Sequence, residues 1–179
     1  MSMAGTNVVV PELVNNFNVY DDKAKRLIGV SGEIDLGELK QMTDTVGLAG
    51  MLGEYDAPAT GHFSSIKLKI PFAIVFGKIF ELLDPTEAIQ LTLRGSMQTI
   101  GQESFKVDSY GVKIVVRGRM TSTGLGKWAR AKKGDPEVEL EILYIKITID
   151  GEEVLELDKL NFKYVVDDKD ALAKIRSQI

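Results

Sequence analysis

Apolar and polar residues alternate most regularly between positions 136 and 164. Val138, Leu140 and Ile142 are separated by Glu139 and Glu141. After Ile142 the phase slips by one, and Leu143, Ile145, Ile147 and Ile149 alternate with Tyr144, Lys146 and Thr148. Period-2 alternation over this length predicts a long β-strand with one buried face. The slip predicts a β-bulge, or a point where the strand passes between two apolar environments. Asp150-Gly151 predicts a two-residue hairpin turn. The return strand carries Val154, Leu155 and Leu157, with Leu160 and Phe162 following. The hairpin is long for one small sandwich to cover, so part of its apolar surface is expected to meet another copy of the chain.

The same alternation predicts strands over 65–72, where Ile66, Leu68, Ile70 and Phe72 oppose Lys67 and Lys69, and over 88–100, where Ile89, Leu91, Leu93 and Met97 oppose polar residues. Weaker patterns predict strands over 33–39, 41–46 and 113–117, and a short hairpin pairing 17–20 with 26–30 across Asp21-Asp22-Lys23. From 73 to 83 the spacing of Phe76, Ile79, Phe80 and Leu83 is helical, with Ile74, Val75 and Leu82 making the helix apolar nearly all round. Such a helix needs cover on several faces, part of it from an adjacent subunit. Asp84-Pro85 ends it. A C-terminal helix is expected over 168–179, with Ala171, Leu172 and Ile175 on one side.

Three stretches read as irregular. Residues 1–16 predict an extended N-terminal arm outside a single domain of 17–179, because Pro11 argues against a central strand. That arm is either a loose terminus or a segment packed on a neighbour. Residues 47–61 hold four glycines and Pro58 and predict a long loop, yet Leu48, Met51, Leu52 and Tyr55 are apolar enough to dock on something. Residues 120–135 predict a polar loop, in which Trp128 either anchors a contact or packs over the sheet.

Composition narrows the class. A chain of 179 residues with 44% hydrophobic and 27% charged residues fits one soluble globular domain that buries roughly 70% of its unfolded surface. With no cysteine, disulfides and thiolate metal sites are impossible. The first basic residue is Lys23, so the start lacks a signal peptide's charged region, and the apolar run at 70–83 is broken by Lys78 and Glu81. No membrane anchoring is expected. The net charge of −4 argues against a general nucleic-acid-binding surface.

Catalytic chemistry is sparse. His62 is the only histidine, and its neighbours Ser64 and Ser65 do not make a nucleophile–base pair by proximity in sequence. A structural or interface role is expected for it, and neither cofactor nor metal. Gly124-Leu125-Gly126-Lys127 lacks the spacing and the hydroxyl residue of a phosphate loop. Charge is patterned more clearly. Seven basic residues and no acid lie between 112 and 134, and nine acids against Lys146 alone lie between 135 and 158. Either adjacent strands pair these charges within one subunit, or opposite charges at different edges favour head-to-tail association of copies.

Pro11-Glu12-Leu13, Asn16-Phe17-Asn18-Val19-Tyr20, Gly61-His62-Phe63, Leu93-Arg94-Gly95, Val116-Arg117-Gly118-Arg119 and the run from Asp150-Gly151 to Asn161-Phe162, taken in order, resemble the major tail tube protein of contractile-tailed phages. The resemblance spans nearly the whole chain and is weakest over 120–135. It implies a mainly β fold: a sandwich or barrel of two packed antiparallel sheets with one flanking helix and a C-terminal helix. It further implies hexameric rings stacked into a hollow tube inside the sheath, for delivery of DNA across the host envelope. The alternative is the inner tube of a DNA-free contractile bacteriocin or another tail-derived injection particle. Implied partners are sister copies, sheath subunits outside, a tape measure protein and double-stranded DNA within, and the baseplate and tail terminator at the ends. The implied location is the virion, after assembly in the bacterial host cytoplasm. On this resemblance the 47–61 loop would contact the next ring. Leu48, Met51, Leu52, Tyr55, His62, Phe63, Phe76 and Phe80 are the expected inter-subunit residues. Glu33, Asp35, Glu38 and Asp44 are expected to face the lumen, or form an ordinary solvated face.

Overall fold

The computed structural model describes residues 8–179. The architecture is mainly β and antiparallel, with ten strands and two single-turn helices among the described residues. The strands are β1 (Val9–Tyr20), β2 (Gln41–Val46), β3 (Tyr55–Phe63), β4 (Lys67–Pro71), β5 (Ile89–Gly101), β6 (Val107–Gly124), β7 (Glu137–Ile149), β8 (Glu152–Asp158), β9 (Lys163–Val166) and β10 (Lys169–Asp170). Helix α1 is Gly77–Glu81 and α2 is Ala173–Arg176. Eight strands form one sheet in the order β1-β5-β6-β7-β8-β9-β10, with β4 also paired to β7, while β2 and β3 form a separate ribbon. The expected second layer is therefore no more than a two-stranded hairpin.

Strand β7 organises the large sheet. Its first half pairs β4, from Lys67↔Glu141 to Pro71↔Glu137, and its second half pairs β8, from Tyr144↔Asp158 to Ile149↔Glu152. The change of partner falls at Leu143, which the β6 register skips between Gly118↔Ile142 and Arg117↔Tyr144. The slip in the apolar phase is thus a bulge at the branch point of the sheet. A polar cluster fills that branch. Glu141 accepts hydrogen bonds from the Ser65 hydroxyl, from the Ile66 amide at 3.3 Å and from Lys159 Nζ at 3.2 Å, while Lys159 also donates to the Ser64 carbonyl at 3.0 Å. The Asp150-Gly151 turn has positive φ at both residues, 49° and 90°, as a primed two-residue hairpin turn requires.

One core joins the inward positions of six strands: Val19, Ile66 with Leu68, Ile70 and Phe72, Leu91, Val116, Val138 with Leu140, Ile142 and Ile145, and Leu157. Leu27, Ile79 and Leu82 close it from the connections. The sheet therefore curls round a single interior. Leu68 is fully buried, and Leu68→Ala is expected to cost about 2–5 kcal/mol through lost contacts and a residual cavity. Urea denaturation measures this, and a loss under about 1 kcal/mol would show that the site collapses or is not core.

Several expectations are corrected. The 1–16 arm is not separate from the domain: β1 runs through the 16/17 boundary and pairs β5 from Val9↔Gly101 to Tyr20↔Thr92, with Pro11 tolerated because β1 is an edge strand. Residues 1–7 of that arm lie outside the described residues. The 47–61 loop is shorter than expected, since Tyr55–Phe63 is β3 and only 47–54 connect the ribbon. The 33–39 strand is absent. Asp35 alone bridges Lys69, because Gly37 turns the chain at φ 74°, where a Cβ would lie 2.6 Å from the Lys67 carbonyl oxygen. The 17–20/26–30 hairpin reduces to one bridge, Tyr20↔Arg26. The flanking helix is five residues rather than eleven, and the C-terminal helix is four, because β10 forms first and the Asp170 carboxylate accepts from the Leu172 amide at 3.0 Å and pairs with Arg176. Strand β6 extends far beyond 113–117 and takes in 120–124 of the expected polar loop.

Candidate assembly surfaces

Among the described residues, the β2–β3 ribbon is anchored mainly at its base. Gly61, at φ 79°, lies so close to buried Leu172 that a Cβ would sit 2.5 Å from its Cδ2. Phe63 packs edge-on to Tyr164 at 4.9 Å, and the His62 ring lies 5.9 Å from Phe162. Beyond this base the ribbon is largely exposed. Leu48 is 67% exposed, Leu52 wholly so, and Met42, Met51 and Tyr55 are exposed as well. A cluster of apolar side chains at the tip of a hairpin gains nothing from folding alone, because water covers it in the isolated chain.

A second uncovered surface lies on the β1–β5–β6 part of the sheet. Val14, Phe17, Leu93, Met97, Val112 and Ile114 line a groove of about 430 Å³, flanked by Glu33, Ile34 and Leu36. Val9, Val10, Leu13 and Val14 are exposed along β1, whose outer edge has no strand beside it among the described residues. Such an edge is a template for another strand, although bulges at Pro11/Leu13 and Val14/Asn16 break its regularity. The sequence did not mark this groove, because Val8-Val9-Val10 and Leu13-Val14 carry no strict alternation.

Of the expected inter-subunit residues, Leu48, Met51, Leu52 and Tyr55 lie on the ribbon's outer part, and exposed His62 lies at its base. Phe80 is exposed on α1. Phe63 and Phe76 are half-buried within the chain, Phe63 on Tyr164 and Phe76 edge-on to Phe72 at 5.8 Å. The four expected lumen acids are all exposed but not on one strand row. Glu33, Asp35 and Glu38 lie in the irregular segment that runs beside β4, and Asp44 is on β2.

The charge blocks do not neutralise each other. Among the described residues, none of the seven cations between 112 and 134 forms an ion pair. Arg117 instead stacks over Tyr144 at 4.8 Å and donates to Gln90 at 2.8 Å, and Arg119 donates to the Pro85 carbonyl at 2.7 Å. The β7 and β8 acids pair with lysines outside that block: Lys67 to Glu139 at 2.7 Å, Lys159 to Glu141 at 3.2 Å, Lys163 to Glu156 at 2.5 Å, and Lys146 to Glu153.

These pairs shift the carboxyls in one direction. The Lys67 ammonium and then the Thr121 hydroxyl hold Glu139 below its ordinary range, and Lys163 does the same to Glu156. Burial would raise Glu141, but the bonds from Ser65, Lys159 and Ile66 together outweigh it, and its pKa is lowered. A carboxyl depressed in the fold contributes stability above its unfolded pKa of about 4.3, and that contribution fades as pH falls through the folded value. The melting temperature is therefore expected to hold from pH 7 to about 5 and to drop below about pH 4.3. A rise on acidification would contradict the lowered values.

Catalytic geometry does not emerge. No hydrogen bond links His62 to Ser64 or Ser65 among the described residues, and the Ser65 hydroxyl is committed to Glu141. No group of three potential ligands is placed to hold a metal ion among them, and no helix is long and apolar enough to cross a membrane.

Known proteins resemble the chain in sequence and in fold. The family described as phage tail tube protein FII matches residues 11–179. The tail tube protein of Escherichia phage P2 is 24% identical over 156 residues, covering 84% of this chain and 87% of its own. In fold the chain is similar to the sheath/tube terminator of an extracellular contractile injection system in its extended state. That likeness has a TM-score of 0.55 and 11% identity, and covers 77% of this chain and 96% of that one.

Proposed function

Because the chain belongs to the phage tail tube protein FII family, we propose that this structural tail protein forms hexameric rings that stack into a hollow tube inside the contractile sheath, through which DNA crosses the host envelope. The observation that carries the reading is the apolar tip of the β2–β3 ribbon, exposed at Leu48, Met51, Leu52 and Tyr55 on an element the rest of the chain does not cover. The groove and free edge at β1 are a second demand for the same remedy, since closing strands across copies removes edges and hides apolar faces. Work is done by rigidity and shape, without a catalytic step. Glu33, Asp35, Glu38 and Asp44 supply exposed acids to the lumen wall, where like charge lets the phosphate backbone slide instead of binding. The sheath lies outside, the tape measure protein occupies the lumen until ejection, and the baseplate and terminator cap the ends. Assembly takes place in the host cytoplasm and the product is part of the virion.

A tail-derived injection particle without DNA is the second reading, supported by the likeness in fold to a component of an extracellular contractile injection system. Electron microscopy of the purified chain tests the shared part of both. Six-fold rings or tubes are the expected result, and a compact monomer persisting at high concentration counts against either.

A further inference from the structure

We propose that successive copies join end to end, the basic Trp128 loop of one docking on the acidic, apolar end of the next. The inference rests on the tube reading and says which surfaces stack the rings. Strands β6 and β7 form one antiparallel ribbon, and the loop 125–134 leaves its end where β6 stops and β7 starts. The opposite end carries the turn Asp150-Gly151 and the connection 102–106 between β5 and β6. Thirteen residues of β7 separate the two, about 40 Å at ~3.3 Å per residue, so one molecule cannot bring them together.

The ends are complementary. The loop holds Lys127, Arg130, Lys132 and Lys133 and no acid, with Asp135 and Glu137 following it. None of the four cations has an ion-pair partner among the described residues, and Lys133 donates only to the Ser31 hydroxyl at 3.2 Å. Trp128 is 86% exposed beside Ile74 and Val75. The base of the loop is closed by Lys127 N–H to the Gly134 carbonyl at 2.7 Å and tied to the connection after β4 by Gly134 N–H to the Ala73 carbonyl at 2.8 Å, so Trp128 is presented on a preformed support. The far end offers Glu103, Asp108, Asp150 and Glu152 against Lys106, with Glu153 already paired to Lys146. Phe105, 77% exposed, and exposed Val107 lie along the chain between Glu103 and Asp108. Tryptophan with arginine is the composition of an interface anchor, and an apolar patch rimmed by acids fits it. Two different, matching ends make a heterologous contact that propagates without closing, which stacking requires.

Because the chain has no cysteine, the contact is testable without rings. Ala129→Cys and Ser104→Cys copies are mixed and oxidised with diamide, with Leu160→Cys replacing Ser104→Cys as the control. The A129C–S104C disulfide dimer is expected to exceed the control. Its yield is expected to fall roughly tenfold or more when the four loop cations become Glu, and to recover when the S104C copy also carries Glu103→Lys, Asp108→Lys and Glu152→Lys. About 1 M salt, with a screening length near 3 Å, lowers it as well. Equal yield with the control, or yield indifferent to charge reversal, overturns the proposal. Cross-linking without rings in microscopy would sink the tube reading and leave this contact standing.

Discussion

Gly118→Ala is expected to destabilise the subunit by about 3 kcal/mol or more, since extra volume forced into a packed site of this kind moves backbone. A Cβ at Gly118 would lie 2.0 Å from the Glu141 carbonyl oxygen and 3.3 Å from Ile142 Cα. Those atoms are backbone, held on the far side of β7 by the Ile142 N–H bond to the Ile66 carbonyl at 2.8 Å and by the pairing of Lys67 with Glu141. Relief requires β6 to part from β7 at the bulge where β7 changes partner from β4 to β8, and the inward residues on either side, Leu140, Ile142 and Ile145, are core. Gly124→Ala in the same strand is the control. Its Cβ would meet nothing closer than 3.9 Å, and it is expected to change stability by no more than about 0.5 kcal/mol. Chemical denaturation of the two variants reads the difference. Equal midpoints would show that the branch point is not the rigid element described here.

Leu52→Asp, alone or with Leu48→Asp, is expected to abolish assembly while leaving the subunit intact. Both leucines are solvated in the single chain, so folding stability is expected to change by no more than about 0.5 kcal/mol. In an assembly that covers the tip, each copy would instead bury an unpaired carboxylate, costing several kcal/mol at every contact. Circular dichroism melting and a sedimentation assay separate the two effects. Tubes that pellet like wild type would remove the ribbon tip from the contact.

The legible and illegible parts of the sequence differ for physical reasons. Strands β4, β5 and β7 have one face in the core and one toward polar surroundings, so Leu68, Leu91 and Leu140 stand out by alternation. The bulge at Leu143 was visible because it shifts the phase of a long apolar row. The sequence pattern marks only five residues of β6 because its exposed part, with Asp108, Ser109 and Arg119, pairs through backbone and needs no apolar face. Strand β3 was hidden by Pro58 and Gly61, both tolerable because β3 pairs a strand only through β2. Over 33–39 the alternation was real but marked Ile34 and Leu36 packing on the core, not a strand. The helical spacing over 73–83 overstated α1, since Phe72, Phe76 and Ile79 reach the core from a connection that is helical for one turn. At the candidate surfaces, the apolar residues of 48–55 were evident because they interrupt a loop composition. The β1 groove was not, because it arises only when Phe17, Met97 and Ile114 come together from three strands.

Methionine oxidation tests the central claim most directly, that apolar surface left open by one chain is covered by others. Met51 sits among the exposed residues of the ribbon connection and Met42 is exposed on β2, so mild peroxide reaches both in the dispersed subunit. Mass spectrometry of dispersed and assembled protein is predicted to show Met51 oxidising readily in the first and protected in the second. Equal oxidation of Met51 in both states would mean that the tip stays in water, and would contradict the account.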